Sequence, residues 1–195
     1  LLKSGRQESA FYKAMWDSLS HVGHWQGEIW NRRKNGEIYP EWLTINGVCD
    51  AQGEVSHYVS TFSDISNLKV AESEIHNLAF YDPLTTLPNR RLLLNRLDKA
   101  CSASKRSGKF GALLIIDIDH FKRVNDTYGH PVGDVVLVHL SNLLAEQLRS
   151  IDKLARIGGE EFAILLVDTS AEAAATVIER LLATIRSKPA SHPES

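Results

Sequence analysis

The chain has 195 residues, with 22 Lys and Arg against 24 Asp and Glu and a formal charge of −2. That length accommodates one or two domains with a real core, and 43% hydrophobic with 24% charged residues excludes a disordered or low-complexity chain. The near-neutral balance argues against a general nucleic-acid binder, which would carry a basic excess.

In chain order, residues 9–19 read as a helix with Phe11, Met15 and Leu19 on one face. Stretches 24–30, 37–48 and 55–62 are rich in aromatic and β-branched residues and read as the strands of an antiparallel meander. Asn35-Gly36 is expected to supply the positive-φ residues of a tight hairpin, and Asp50-Ala51-Gln52-Gly53 a second turn. Pro40 implies a missing ladder hydrogen bond, and hence an edge or a bulge. All four tryptophans (Trp16, Trp25, Trp30, Trp42) precede residue 43, a composition shift that marks a domain boundary. From about Asp64 the pattern turns helical. Leu68, Ala71, Ile75 and Leu78 follow the seam spacing of a short coiled coil, which Pro83 ends. The alternative is an ordinary connector packed on its own domain.

The second half alternates helices with apolar strands. Pro88 opens a helix to about Lys105; a buried strand covers 111–117; a helix covers about 132–148. A hairpin pairs 153–157 with 162–167, and a last helix covers 171–187. The pattern is that of helices layered over a sheet.

No apolar run approaches the roughly 20 residues of a membrane helix, and no signal peptide opens the chain. The start on Leu1 rather than Met is expected of a piece cut from something longer. Cys49 and Cys101 lie far apart without CxxC spacing, so neither a zinc site nor a disulfide framework is expected. Both read as small buried hydrophobes in a reducing cytosol. His21 and His24 read as surface or core histidines rather than ligands.

Chemistry concentrates in the second half. Asp117 and Asp119 close an apolar strand at i, i+2 spacing and are expected to share a face. Two carboxylates so close call for a cation, and an oxygen pair suits Mg²⁺; a cap or loop ion pair is the alternative. Gly158-Gly159-Glu160-Glu161-Phe162 puts two acids on a turn whose glycines admit a bulky ligand. A solvated surface turn is the alternative there.

These residues carry a resemblance. Gly158-Gly159-Glu160-Glu161-Phe162 resembles the signature of GGDEF-family diguanylate cyclases in its Glu-Glu form. Asp82-Pro83-Leu84-Thr85-Thr86-Leu87-Pro88-Asn89-Arg90, Asp117-Ile118-Asp119-His120-Phe121-Lys122, Asn125-Asp126 and Gly129-His130-Pro131-Val132-Gly133-Asp134 match in register. The first half resembles the latter part of a PAS domain, ending in Asp64-Ile65-Ser66 before an output helix.

The resemblance implies an α+β/α/β chain with three parts. Residues 1–66 would be the C-terminal part of a PAS/PAC sensor with an antiparallel sheet, and 67–80 a linker helix. Residues 81–195 would be a GGDEF domain, a nucleotidyl-cyclase-like (palm-like) sheet flanked by helices. In the family that domain continues beyond the position of Ser195 with elements that contact the triphosphate, so a C-terminal truncation and weak or absent turnover are implied.

The implied activity belongs to bacterial signalling: two GTP molecules condense to cyclic di-GMP with Mg²⁺ or Mn²⁺. Asp117, the Ile118 carbonyl and Glu160 match the metal ligands, and Glu161 an acid near the metals that either helps deprotonate the attacking hydroxyl or serves as a further ligand. Asn125 and Asp134 match the guanine readers. His120, Phe121 and Lys122, with Gly158 and Gly159, match the phosphate-binding backbone. As bare residues, Asn125 is equally a turn former and Asp134 an N-cap. Arg149 and Asp152 match an inhibitory site for cyclic di-GMP; alone, an RxxD is a surface salt pair. The implied partners are GTP, cyclic di-GMP and a second copy joined through the linker helix, without nucleic acid. The ligand of the PAS part is unknown. The implied location is the cytoplasm, or the cytoplasmic part of a membrane-anchored protein. The other reading is a non-catalytic module that binds GTP or cyclic di-GMP and controls a further domain.

Overall fold

The computed structural model describes residues 4–188. Two compact units divide the chain, Leu1–Glu74 and Ile75–Ser195.

In the first unit, α1 (Ser9–Val22) buries Met15 and Leu19 and stops at Gly23, whose φ of 73° is left-handed. It is followed by β1 (His24–Arg32), β2 (Ile38–Cys49) and β3 (Val55–Asp64), paired antiparallel in the order β1-β2-β3. In the first hairpin only Gly36 takes a positive φ. Asn35 acts instead through its side chain, whose Oδ1 accepts from the Glu37 N–H at 3.0 Å. Asp50 organises the second turn, its Oδ1 accepting from the N–H groups of Gln52 and Glu54.

Pro40 sits in the central strand rather than at an edge. A residue's N and O face the same neighbour in an antiparallel ladder. The Pro40 carbonyl accepts from Ile65 N–H at 3.1 Å, just past the last β2–β3 pair, Glu41 opposite Asp64. Its missing N–H therefore costs the ladder nothing. The bulge falls between Val48 and Cys49. Glu41 is only 3% exposed; its carboxylate accepts from Asn31 Nδ2 and from the Tyr39 hydroxyl, each at 2.6 Å, which offsets the cost of burial.

Helix α2 (Ser66–Phe80) starts where Asp64 Oδ1 accepts from the Ser66 N–H at 2.9 Å. It buries no residue. Leu68 is 55%, Ile75 67% and Leu78 75% exposed.

In the second unit, α3 (Arg90–Ser107) begins two residues later than the expected start at Pro88, because Asn89 is its N-cap, accepting from the Leu92 N–H at 3.1 Å. Then come β4 (Ala112–Asp117), α4 (Phe121–Tyr128), α5 (His130–Glu146), β5 (Lys153–Arg156), β6 (Glu161–Leu166) and α6 (Ala171–Ser187). The sheet runs β4-β6-β5, all antiparallel.

Central β6 is covered on both faces. Phe162, Ile164 and Leu166 pack with Leu137, Leu140 and Leu144 of α5 and Val177 and Leu181 of α6. Ala163 and Leu165 pack with Leu93 of α3. Strand β4 was expected to be buried, yet only alternate residues are covered, with Leu113 43% and Ile115 57% exposed. It is the outer strand of the sheet, so one face and one edge lack a neighbour among the described residues. Both cysteines are exposed, against expectation. Cys49 ends β2 beside the bulge and Cys101 lies outward on α3, so neither fills core space.

Candidate active site

Three backbone features build the site. Strand β4 ends at Asp117, which pairs directly with Glu161, the first residue of β6. Glu160 lies on the turn just before it, between β5 and β6. Directly paired residues stand side by side on one face of the sheet, so two carboxylates share a face here. Asp117, Glu160 and Glu161 have no ion-pair partner among the described residues. Opposed like charges without a counter-charge are unfavourable, and the position suits an oxygen-seeking divalent cation. Among the described residues no cluster of three or more His, Cys, Asp or Glu forms a ready-made metal cage.

Asp119 does not join this face. The strand stops at Asp117, and the chain turns through His120, held at a left-handed φ of 60°. That conformation is strained for a residue other than glycine. It delivers α4, whose N-terminus has no side-chain cap. Phe121 N–H reaches back to the Ile118 carbonyl at 3.3 Å, leaving a second lone pair on that oxygen. No helix was expected over 121–128, yet α4 starts at Phe121, which puts His120, Phe121 and Lys122 at a helix N-terminus, a favourable place for phosphate oxygens. Phe121 is buried in the core, while His120 and Lys122 are exposed.

Asn125 is on α4 and Asp134 on α5, within the helix rather than at its N-cap. The Asn125 Oδ1 is buried with no hydrogen-bond partner. A buried unpaired acceptor costs about 1–3 kcal/mol, so this oxygen is built to receive a donor. Gly133 makes room for it: a Cβ there would lie 1.9 Å from Asn125 Oδ1 and 3.1 Å from Phe121 Cζ. Asp134 lines a hollow of about 410 Å³ with Leu84, Val135 and Val138.

Gly158 plays a comparable part under Glu161, whose Oε2 would lie 2.3 Å from a Cβ at that position. Arg149 and Asp152 close a turn on themselves. The Arg149 N–H donates to Asp152 Oδ2 at 3.1 Å and the Asp152 N–H to the Arg149 carbonyl at 3.0 Å. Their side chains form no ion pair with each other among the described residues.

The sequence reading missed a half-buried network behind the glycine turn. Arg156 Nη1 binds both Asp82 oxygens, at 3.0 and 3.1 Å, while Nε and Nη2 donate to the Gly159 carbonyl at 3.2 and 2.7 Å. Asp82 Oδ1 also accepts from the Thr85 N–H and hydroxyl, at 2.8 and 2.7 Å. Burial, the strongest single influence, pushes the Asp82 carboxyl up; Thr85 and Arg156 together bring it below its ordinary value. The available signal was the Asp-x-x-Thr spacing of a side-chain-closed turn, with an arginine just ahead of the glycines.

The second unit thus sets an antiparallel sheet under helices, with paired acids at the end of β4 and an uncapped helix N-terminus a few residues further along the chain. The family described as "Diguanylate cyclase, GGDEF domain" matches residues 79–195, and the chain belongs to it.

Among curated relatives, diguanylate cyclase DgcP of Pseudomonas aeruginosa is 48% identical over 111 residues, 57% of this chain and 16% of the relative. Response regulator PleD of Caulobacter vibrioides is 40% identical over 112 residues, 57% of this chain and 25% of the relative. The chain thus spans a quarter or less of the length of these two relatives. Probable diguanylate cyclase DgcE of Escherichia coli is 32% identical over 152 residues, 78% of this chain and 14% of the relative. That stretch is longer than 79–195 and so reaches into the first unit. Among solved structures, the coiled coil and GGDEF domain of DgcB from Caulobacter crescentus, in complex with c-di-GMP, superposes with a TM-score of 0.62. It is 30% identical and covers 67% of this chain and 69% of that one. The fold of the second unit is accordingly GGDEF-like. Among the described residues no helix is long and apolar enough to cross a membrane.

Proposed function

We propose that this chain is the diguanylate cyclase output of a signalling protein, condensing two GTP into cyclic di-GMP in the cytoplasm. The observation that carries the reading is the pairing of Asp117 with Glu161 beside Glu160, with no ion-pair partner for any of the three among the described residues. Asp117, the Ile118 carbonyl and Glu160 would hold Mg²⁺ or Mn²⁺. Such an ion, when bound, neutralises triphosphate charge and supports in-line displacement at phosphorus.

The chain's own residues do the rest. Asn125 offers its free Oδ1 to the guanine amino or imino donor, and Asp134 accepts from the same edge; adenine presents a different pattern there. The uncapped α4 N-terminus, with Lys122, receives phosphate oxygens, as do the turn N–H groups at Gly158 and Gly159. Glu161 takes the proton of the attacking 3′-hydroxyl. The 3′-oxygen then bonds to the α-phosphorus of the opposing GTP, whose bond to the β-phosphate oxygen breaks, releasing pyrophosphate. Each site holds one GTP, so two copies must face each other, joined through the exposed seam of α2 at Leu68, Ala71, Ile75 and Leu78.

Residues 1–66 serve as the C-terminal part of a PAS/PAC sensor, 67–80 as the linker and 81–195 as the GGDEF domain. The long DgcE match supports reading the two units as parts of one arrangement. Arg149 and Asp152, whose turn is closed by the Arg149 N–H on the Asp152 carboxylate, form the inhibitory site for the product.

Nucleotide selectivity tests the reading. Fluorescent GTP should bind in preference to ATP, with the preference falling at least tenfold in Asn125→Ala and Asp134→Ala. Equal binding of the two nucleotides by the unaltered chain would contradict it.

A further inference from the structure

We propose that Asp82 and Arg156 form a clasp that sets the position of the acid-bearing glycine turn from the end of helix α2, making Arg156 a positioning residue for Glu160 and Glu161. The proposal rests on the activity proposed above for its catalytic consequence, but not for its structural one.

The network is continuous. Asn89 caps the C-terminal end of α2 twice: its side-chain amide donates to the Ala79 carbonyl at 3.0 Å and its backbone N–H to the Phe80 carbonyl at 2.9 Å. The same side chain starts α3 by accepting from Leu92. The intervening turn is closed by Asp82 N–H to the Leu87 carbonyl (2.8 Å), by Thr86 N–H to the Asp82 carbonyl (2.9 Å), and by Thr85 on the Asp82 carboxylate. These bonds tie residues 79–89 into one hydrogen-bonded body with α2's last turn.

One guanidinium joins that body to the catalytic turn. Arg156 is held at its backbone by donating to the Pro88 carbonyl at 3.0 Å, and its planar fork spans Asp82 and the Gly159 carbonyl. Its side chain is 13% and that of Asp82 18% exposed, so water competes weakly for either. The turn has little else to fix it. A Cβ at Gly159 would meet nothing within 4 Å, and beyond the β5–β6 ladder the turn's backbone bonds among the described residues are those of Ile157 and Gly158 N–H to the Glu161 carbonyl, at 2.9 and 3.4 Å. A glycine turn so loosely held takes its position from the group that grips its carbonyl. Movement at the end of α2 must then either break the Asp82–Arg156 pair or displace Gly159, and with it the neighbouring Glu160.

The test uses Asp82→Asn, which keeps shape and loses charge, and Arg156→Lys, which keeps charge and loses the fork. Backbone hydrogen exchange of the whole chain is read at Ile157 and Gly158, with Ile164 in β6 reporting on the intact fold. Both variants should speed exchange at 157–158 at least tenfold with Ile164 unchanged. With GTP as substrate, kcat should fall about tenfold and KM by less than twofold. Unchanged exchange at 157–158 in both variants would overturn the proposal. So would a loss of protection spread equally through β6, which would assign the network to fold stability alone. If neither this chain nor the longest reading frame that contains it makes cyclic di-GMP, the activity reading fails while exchange still decides the clasp.

Discussion

Replacing Gly133 with Ala should damage guanine recognition without damaging the fold. The new Cβ would lie 1.9 Å from Asn125 Oδ1, 3.0 Å from its Cγ and 3.1 Å from Phe121 Cζ. Restoring ordinary contact requires the amide oxygen to retreat by roughly 1.5 Å, because Phe121 is held in the core and cannot give way. At that displacement Asn125 loses its bonds to the base. Two hydrogen bonds at about 0.5–1.5 kcal/mol each give ~1–3 kcal/mol, or roughly a 5- to 150-fold weaker Kd for GTP. Stability moves less. Ala in a helix interior gains up to about 1 kcal/mol over Gly, which partly offsets the crowding. Isothermal titration with GTP and ATP, beside a thermal melt, separates the two effects. GTP affinity within twofold of the unaltered chain would refute the placement of Asn125 in the base site.

Other expectations follow from the same geometry. Removing one of the facing carboxylates, by Asp117→Asn, should raise Tm by a few degrees in EDTA by relieving like-charge repulsion of about 0.2–1 kcal/mol. The same change should abolish the Tm increase that Mg²⁺ gives the unaltered chain; a variant still stabilised by Mg²⁺ contradicts the metal assignment. Ser66's hydroxyl and N–H, then Arg33, hold the Asp64 carboxyl at about 2. Its contribution to stability is complete above the ordinary carboxylate value and is lost as pH falls from about 4 towards 2. Asp64→Asn should therefore flatten the stability of the first unit across that window, as read by tryptophan fluorescence during acid titration. Leu68→Lys with Ile75→Lys should weaken self-association at least tenfold by sedimentation velocity, since both side chains face solvent in the single chain. An unchanged dimer would place the contact elsewhere.

Strongly patterned elements were legible in the sequence. The aromatic and β-branched runs of the first unit form strands within two or three residues of expectation, and α6 matches at both ends because Ser170 caps a regular apolar period. Helix α4 was not read because it is only eight residues long: Phe121, Val124 and Tyr128 keep helical spacing, but over too short a stretch to establish a period. The half-open state of β4 was hidden for the opposite reason. Leu113 and Ile115 are as apolar as their covered neighbours, and strand order decides which are buried. At the site, Asp117, Glu160 and Glu161 could be marked as acids at turns, but their register came from the β4–β6 ladder. The Asp-x-x-Thr turn at Asp82 was locally readable, but its pairing with Arg156, 74 residues away, was not, because no local rule joins the two.

The central claim is that paired acids at the β4–β6 edge make cyclic di-GMP from GTP. It is tested most directly by product chromatography after incubation with GTP and Mg²⁺. The protein should be taken both as this chain and within the longest reading frame that contains it, each beside its Glu160→Ala variant. The account predicts cyclic di-GMP and pyrophosphate from the unaltered protein and neither from the variant. GTP left intact by both unaltered forms, or product that persists in Glu160→Ala, would contradict it.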